Sequence, residues 1–253
     1  VWVGSGQSNM EWPLKSSTGA AAAIKAADFK NVRLFHVPKV QVPAPAQDVV
    51  ADWRVCTPES VPAFSAVLYY YGKKLHEGLK VPIGLINSSW GGSAIEPWTI
   101  AESQSGGMYN GMIHPIRAFV FRGILFYQGE NNSFGVSWKP YRHTLPLVIE
   151  QWRESFGDLP FGIIPIAGWS SRRSMTYDMN HHTNVIREIQ FDVWQRTEKS
   201  GLIVTYDTNS SQSIHPGAKQ PVGDRSARWA LGEVYMRKNL DGRQPLSWKG
   251  PIY

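Results

Sequence analysis

Six short, nearly continuous apolar runs punctuate the chain: Val1–Ser5, Val32–Val37, Val81–Asn87, Gly123–Tyr127, Phe161–Ala167 and Leu202–Tyr206. Runs of this kind, without polar alternation, predict strands buried on both faces of a parallel sheet. Between them the apolar positions recur at helical spacing. Val67, Leu68, Tyr71, Leu75 and Leu79 form one stripe, and Leu147, Val148 and Trp152, with Gln151, belong to a second. Val185, Ile189, Val193 and Trp194 form a third, and Ala227, Ala230, Leu231 and Val234 a last one near the C-terminus. Such stripes predict helices with one buried face. Strand–helix alternation over the whole length predicts a doubly wound α/β domain with helices on both faces of its sheet. Two segments fall outside the pattern. Lys39–Asp52, rich in Pro, Val and Ala, reads as a long connection, and Gly168–Thr183, rich in Ser, Arg, Met and His, as a loop over the sheet edge.

In doubly wound sheets ligands bind beyond the carboxyl ends of the strands, and four polar clusters fall there. Ser5-Gly6-Gln7-Ser8-Asn9-Met10 follows the first run. A serine at a strand-to-helix turn exposes its hydroxyl, and nearby backbone N–H groups can face a developing oxyanion. The segment is not G-x-S-x-G, and taken alone Ser8 reads more readily as a helix N-cap than as a nucleophile. Asn87 to Ser93 follows the third run, and its Gly91-Gly92 pair lets backbone approach a ligand closely. Gln128, Glu130 and Asn132 follow the fourth run and supply amides and a carboxylate. Ser213-Ile214-His215-Pro216 follows the sixth and supplies a histidine, the commonest general base. A serine, a base and oxyanion donors on one rim are the parts of acyl transfer.

Composition narrows the class further. The net charge is +6, but Lys and Arg are scattered and form no basic block, so nothing indicates a nucleic-acid partner. No apolar run is long enough to span a membrane. Cys56 is the one cysteine, which excludes an internal disulfide. Eleven tryptophans are an unusual number; core and interface packing is expected for more than half of them, and the flat faces of the others suit sugar rings. Trp90 and Trp98 flank the glycine pair and are the first candidates to line a pocket, followed by Trp12 and Trp169.

The segments GQSNMEW, VPIGLINSSWGGSAIEPW, YNGMIHPI, GILFYQGENN and SIHPGAKQPVGDRSA occur in this order between residues 4 and about 228. In this set the chain resembles the sialate O-acetylesterase branch of the SGNH (GDSL-like) hydrolase superfamily. The resemblance implies a three-layer α/β/α sandwich around a parallel sheet, flavodoxin-like in its winding. It implies hydrolysis of O-acetyl esters on sugars, with no metal or organic cofactor and an acetylated carbohydrate as partner. A secreted, periplasmic or lysosomal-type compartment goes with it. It also implies β-rich flanking segments, so residues 1–253 read as a single hydrolase domain taken from a longer chain.

Carried over by position, Ser8 matches the nucleophile and His215 the base. Gly91 or Gly92 matches the glycine supplying an oxyanion N–H, while Gln128 and Asn132 match the third-block amides. Gln7, Asn9 and Glu130 belong to the same motifs and are expected around the substrate, with Glu130 as an organiser. Ile113-His114-Pro115 repeats the tripeptide of the base, but His114 is expected to be a structural or pocket-lining histidine. His181 and His182 are adjacent, so their side chains diverge and a metal site is not expected. Many relatives carry an Asp two or three residues before the base, where this chain has Gln212 and Ser213. The imidazole still needs a partner to hold its tautomer. A backbone carbonyl or Asp207 could serve, whereas Asp224 is expected at the surface. Two other readings stay open: an esterase for acetylated xylan or another polysaccharide, and a catalytically silent carbohydrate-binding protein on the same fold.

Overall fold

A computed structural model describes residues 1–100, 106–169, 181–209, 213–239, 242 and 244–249. Most of the expected loop between Gly168 and Thr183 lies outside the described residues.

Seven strands form one sheet: β1 Trp2–Gly6, β2 Phe29–His36, β3 Arg54–Cys56, β4 Ile83–Ser89, β5 Gly123–Tyr127, β6 Phe161–Ile163 and β7 Ser200–Leu202. Their spatial order is β3-β2-β4-β1-β5-β6-β7. All neighbours are parallel except β2 and β3. The six expected strands are present. The expected sixth strand, Leu202–Tyr206, overlaps β7 only at Leu202, and the chain then turns through Tyr206–Thr208. The expected fifth ends at Ile163, because Pro165 has no N–H to continue the ladder. β3 was not expected. Three residues carry no periodicity, and it pairs only with the sheet's outer edge.

Register fixes the layers. Trp2 is opposite Gly123 and Ser5 opposite Phe126, so Trp2 and Phe126 point to opposite faces. On the Trp2 face lie α3 (Ala66–Leu79) and α6 (Gln220–Trp229), with Tyr71 and Trp229 edge-on to Trp2 at 5.3 and 5.9 Å. On the Phe126 face lies α4 (Trp138–Phe156), whose Trp152 meets Phe126 edge-on at 5.7 Å, with α5 (Thr183–Arg196) packed beside it. The result is the expected three-layer α/β/α arrangement. The winding reverses at β1: β2 and β4 lie to one side, and β5, β6 and β7 to the other. A crevice therefore opens at the carboxyl ends of β4, β1 and β5, the switch point where ligands bind in such sheets.

Candidate active site

Gly6, Ser89 and Tyr127 end the three central strands in register with one another. Pairing runs one residue further, with the Trp90 and Gln7 N–H groups donating to the Gly6 and Tyr127 carbonyls, each at 3.0 Å. Gly6 must be glycine: its φ is +126°, and a Cβ would stand 2.0 Å from the Tyr127 oxygen. This turn lifts Ser8 out of the sheet as the first residue of a short helix, α1 (Ser8–Glu11). Ser8 is partly exposed. Its hydroxyl lies 2.8 Å from Nε2 of His215, which reaches it from the loop preceding α6.

The His215 ring stacks on Trp12, with centroids 5.2 Å apart and planes at 23°. Burial, and then the ammonium of Lys219, hold its pKa below the ordinary imidazole range. Among the described residues no side chain accepts from Nδ1. Asp207 does not reach it: its two carboxylate oxygens grip Arg225 at 2.6 and 2.5 Å, and that contact holds its pKa low. The Ser213 hydroxyl accepts the backbone N–H of His215 at 3.0 Å, while Gln212 lies outside the described residues.

The glycine pair divides its tasks. Gly91 lies against Ser8: a Cβ there would be 3.4 Å from Cβ of Ser8. Its N–H donates to Oε2 of Glu11 at 2.5 Å, and Oε1 of Glu11 pairs with Lys39. A Cβ on Gly92 would meet nothing within 4 Å, so that residue stands open.

The third-block amides differ from expectation. Gln128 and Asn132 are fully buried. The Gln128 nitrogen donates to Oε1 of Gln7, the Ser93 carbonyl and Oδ1 of Asn132 at 3.2, 3.2 and 2.9 Å. The Asn132 nitrogen goes to Glu96. Neither amide has a donor turned to open space; they hold the three strand ends together. Asn131 is the partly exposed amide of this loop, and it donates to the Gly92 carbonyl at 2.7 Å.

Four residues expected around the substrate also lie beneath the site. Gln7, Asn9, Glu130 and Trp98 are buried. Oε1 of Gln7 accepts from Gln128 and from the Gly129 and Asn131 N–H groups. Trp98 donates to the Ser93 hydroxyl. Residues flanking an exposed serine turn the other way, which motif membership does not reveal. Trp90 and Trp12 remain partly exposed near the rim, as does Trp169, edge-on to His181 at 4.7 Å. His182 faces Trp138, and among the described residues no three His, Cys, Asp or Glu side chains converge on a metal position. His114 donates from Nδ1 to the Ala46 carbonyl at 2.7 Å, so this ring is committed to the long connection.

Lys219, of the IHP-x-x-K motif, had no expected role and is 1% exposed. Its ammonium donates to Oδ1 of Asn9. The Asn9 nitrogen donates to Oε1 of Glu130 at 2.5 Å and to the Ile214 carbonyl at 3.1 Å. Burial drives the Lys219 pKa down to about 7 against the pull of Glu130. Burial likewise drives Glu130 up to about 7, opposed by the Asn9 hydrogen bond and by Lys219.

The three-layer sheet, with a partly exposed serine beside a histidine at its switch point, gives the chain an SGNH-like α/β fold. The family model "Carbohydrate esterase, sialic acid-specific acetylesterase" matches residues 1–231, and the chain belongs to that family. Human sialate O-acetylesterase is 29% identical over 98% of this chain and 56% of its own length. The mouse enzyme is 26% identical, with 59% of its length covered. The chain thus spans little more than half of these relatives. A carbohydrate acetylesterase from Xanthomonas citri superposes with a TM-score of 0.86 at 34% identity, over 93% of this chain and 56% of that one.

Proposed function

We propose that the chain is a serine esterase that removes acetyl groups from carbohydrate hydroxyls, with O-acetylated sialic acid as the substrate. The observation that carries this reading is the 2.8 Å contact between the Ser8 hydroxyl and Nε2 of His215 at the strand ends. Family membership and the names of the relatives supply the substrate class.

In this mechanism Oγ of Ser8 attacks the acetyl carbonyl while His215 takes its proton. The tetrahedral intermediate collapses with cleavage of the bond to the sugar oxygen. His215 returns the proton to that oxygen, leaving acetyl-Ser8. Water then attacks the acetyl group with His215 again as base; the bond to Oγ of Ser8 breaks, His215 returns the proton to Oγ, and acetate leaves. The oxyanion is held by the backbone N–H of Ser8 and a glycine N–H. Gly91 suits this role because its N–H lies beside Ser8 and already accommodates an anionic oxygen, Oε2 of Glu11. The tetrahedral oxygen would displace that carboxylate. Gln128 and Asn132 support this wall from below, and Trp90 and Trp12 flank the sugar.

The test is acetate release from 9-O-acetylated sialic acid, acetylxylan and acetylated monosaccharides. Preference for the sialic acid ester supports the substrate assigned. Preference for acetylxylan would replace it with a plant polysaccharide, and no release from any ester, p-nitrophenyl acetate included, would refute the enzymatic reading.

A further inference from the structure

Beneath Ser8 and His215 lies a buried cation and a buried anion joined by one amide. An unpaired ammonium in a protein interior is costly, and a side chain that long is normally left in water. Lys219 is instead enclosed at the start of α6, its Nζ 5.8 Å from the Trp12 ring and 5.6 Å from that of Tyr127. Trp12 is the ring that stacks on His215. Asn9 takes the Lys219 ammonium on its oxygen and uses its nitrogen twice, on Glu130 and on the carbonyl of Ile214. Asn9 follows Ser8 in sequence, and Ile214 precedes His215. One amide therefore ties the backbone beside the nucleophile to the backbone beside the base. Among the described residues no acid side chain does this from the ring side, since Asp207 is on Arg225.

We infer that Lys219 is a positioning residue for the esterase reaction, acting with Asn9 and Glu130 to fix His215 against Ser8 and to set a buried ammonium behind it. The inference rests on the Ser8–His215 reading. Its geometric part is the chain Lys219–Asn9–Ile214, which sets the base loop. Its electrostatic part is the proximity of a buried cation, which opposes a second positive charge on the imidazole. The direction of the His215 shift agrees with this. Glu130 faces the ammonium through the shared Asn9 amide and is itself pushed by burial toward its uncharged form. The other charged or titratable groups nearby are otherwise engaged. Tyr127 is a buried phenol whose pKa is raised by burial. Glu11 of α1 is on Gly91 and Lys39. Asp207, on the β7 side, is on Arg225.

Two substitutions separate the parts. Lys219→Met removes both the charge and the hydrogen bond. Lys219→Gln removes the charge but keeps an N–H donor for Asn9. In both, kcat/KM against pH should rise at higher pH than in the unaltered enzyme, because a base freed from a neighbouring cation protonates more readily. Lys219→Met should also lose kcat at least about tenfold, with KM changed less, and Lys219→Gln should lose less. Fold is checked by circular dichroism and thermal melting. An acid limb unmoved in folded Lys219→Gln would overturn the inference, because a packing role alone lowers the amount of active enzyme without moving the limb. His215→Ala is run alongside. If it retains activity the Ser8–His215 reading itself fails; if it is inactive and the limb stays fixed, only the role of Lys219 fails.

Discussion

The chain contains the tripeptide Ile-His-Pro twice, and the two copies do different things. In Ile113-His114-Pro115, isoleucine and proline are buried, and the ring is tied to the Ala46 carbonyl of the long connection. Its only ring neighbour among the described residues is Tyr109, edge-on at 6.3 Å. This copy pins a loop. In Ile214-His215-Pro216, the isoleucine carbonyl is held by Asn9, the ring stacks on Trp12, and Nε2 meets the Ser8 hydroxyl. The same three residues become a loop anchor or, in the proposed mechanism, a base, according to what the topology brings to them. A histidine gains chemistry from its neighbours: a hydroxyl to deprotonate, a stack that fixes the ring plane, and a buried cation that disfavours premature protonation.

The largest expected effect sharpens this contrast. His215→Ala and Ser8→Ala should each reduce esterase kcat at least about 10⁴-fold, since members of one catalytic unit fail together. His114→Ala should stay within about tenfold in kcat, a limit of roughly 1.4 kcal/mol in the barrier, and show its cost in thermal stability. Steady-state kinetics on p-nitrophenyl acetate for the three variants compares them directly. A reversed order would mean the wrong copy has been assigned.

Next in size is Gln128→Ala. It leaves the Ser93 carbonyl without its donor, unlinks Gln7 from Asn132 and opens a void beneath the site, so it should destabilise the fold by about 2 kcal/mol or more, seen in chemical denaturation. A fully stable variant with kcat down roughly 10²–10³ would instead make Gln128 an oxyanion donor.

A smaller effect is expected in the pH profile. His215 must be neutral to act as base, and burial with Lys219 lowers its pKa. The rise of kcat/KM with pH should therefore fall below the ordinary imidazole value near 6.5. A rise above it would indicate a stabilising acid beside the ring. Smallest of all should be Asp207→Asn. With its carboxylate on Arg225, kcat should fall less than about tenfold. A loss near 10⁴, as when a triad acid is neutralised, would restore Asp207 to the ring.

Much of this site is visible in the sequence because strand ends are. Continuous apolar runs mark β1, β4 and β5, and a doubly wound sheet gathers whatever follows them. That places Ser8, the glycine pair and the QGE segment on one rim. Side-chain direction is not visible in the same way. Gln7 and Asn9 flank the serine in one motif, and Gln128 and Glu130 follow the neighbouring strand on the same rim, yet all four side chains turn inward. Lys219 is hidden for a different reason. A lysine in a polar stretch defaults to solvent, and only its burial against Asn9, Trp12 and Tyr127 shows otherwise. The contact of Glu11 with Gly91 joins residues 80 positions apart, and no local pattern encodes it.

The central claim is that Ser8 is the nucleophile and His215 its base. A serine-reactive phosphonate, followed by peptide mass spectrometry, tests it most directly. The account predicts one adduct, on the peptide containing Ser8, formed at the normal rate in His114→Ala and not detectably in His215→Ala. An adduct on another serine, or undiminished labelling of Ser8 in His215→Ala, would contradict it.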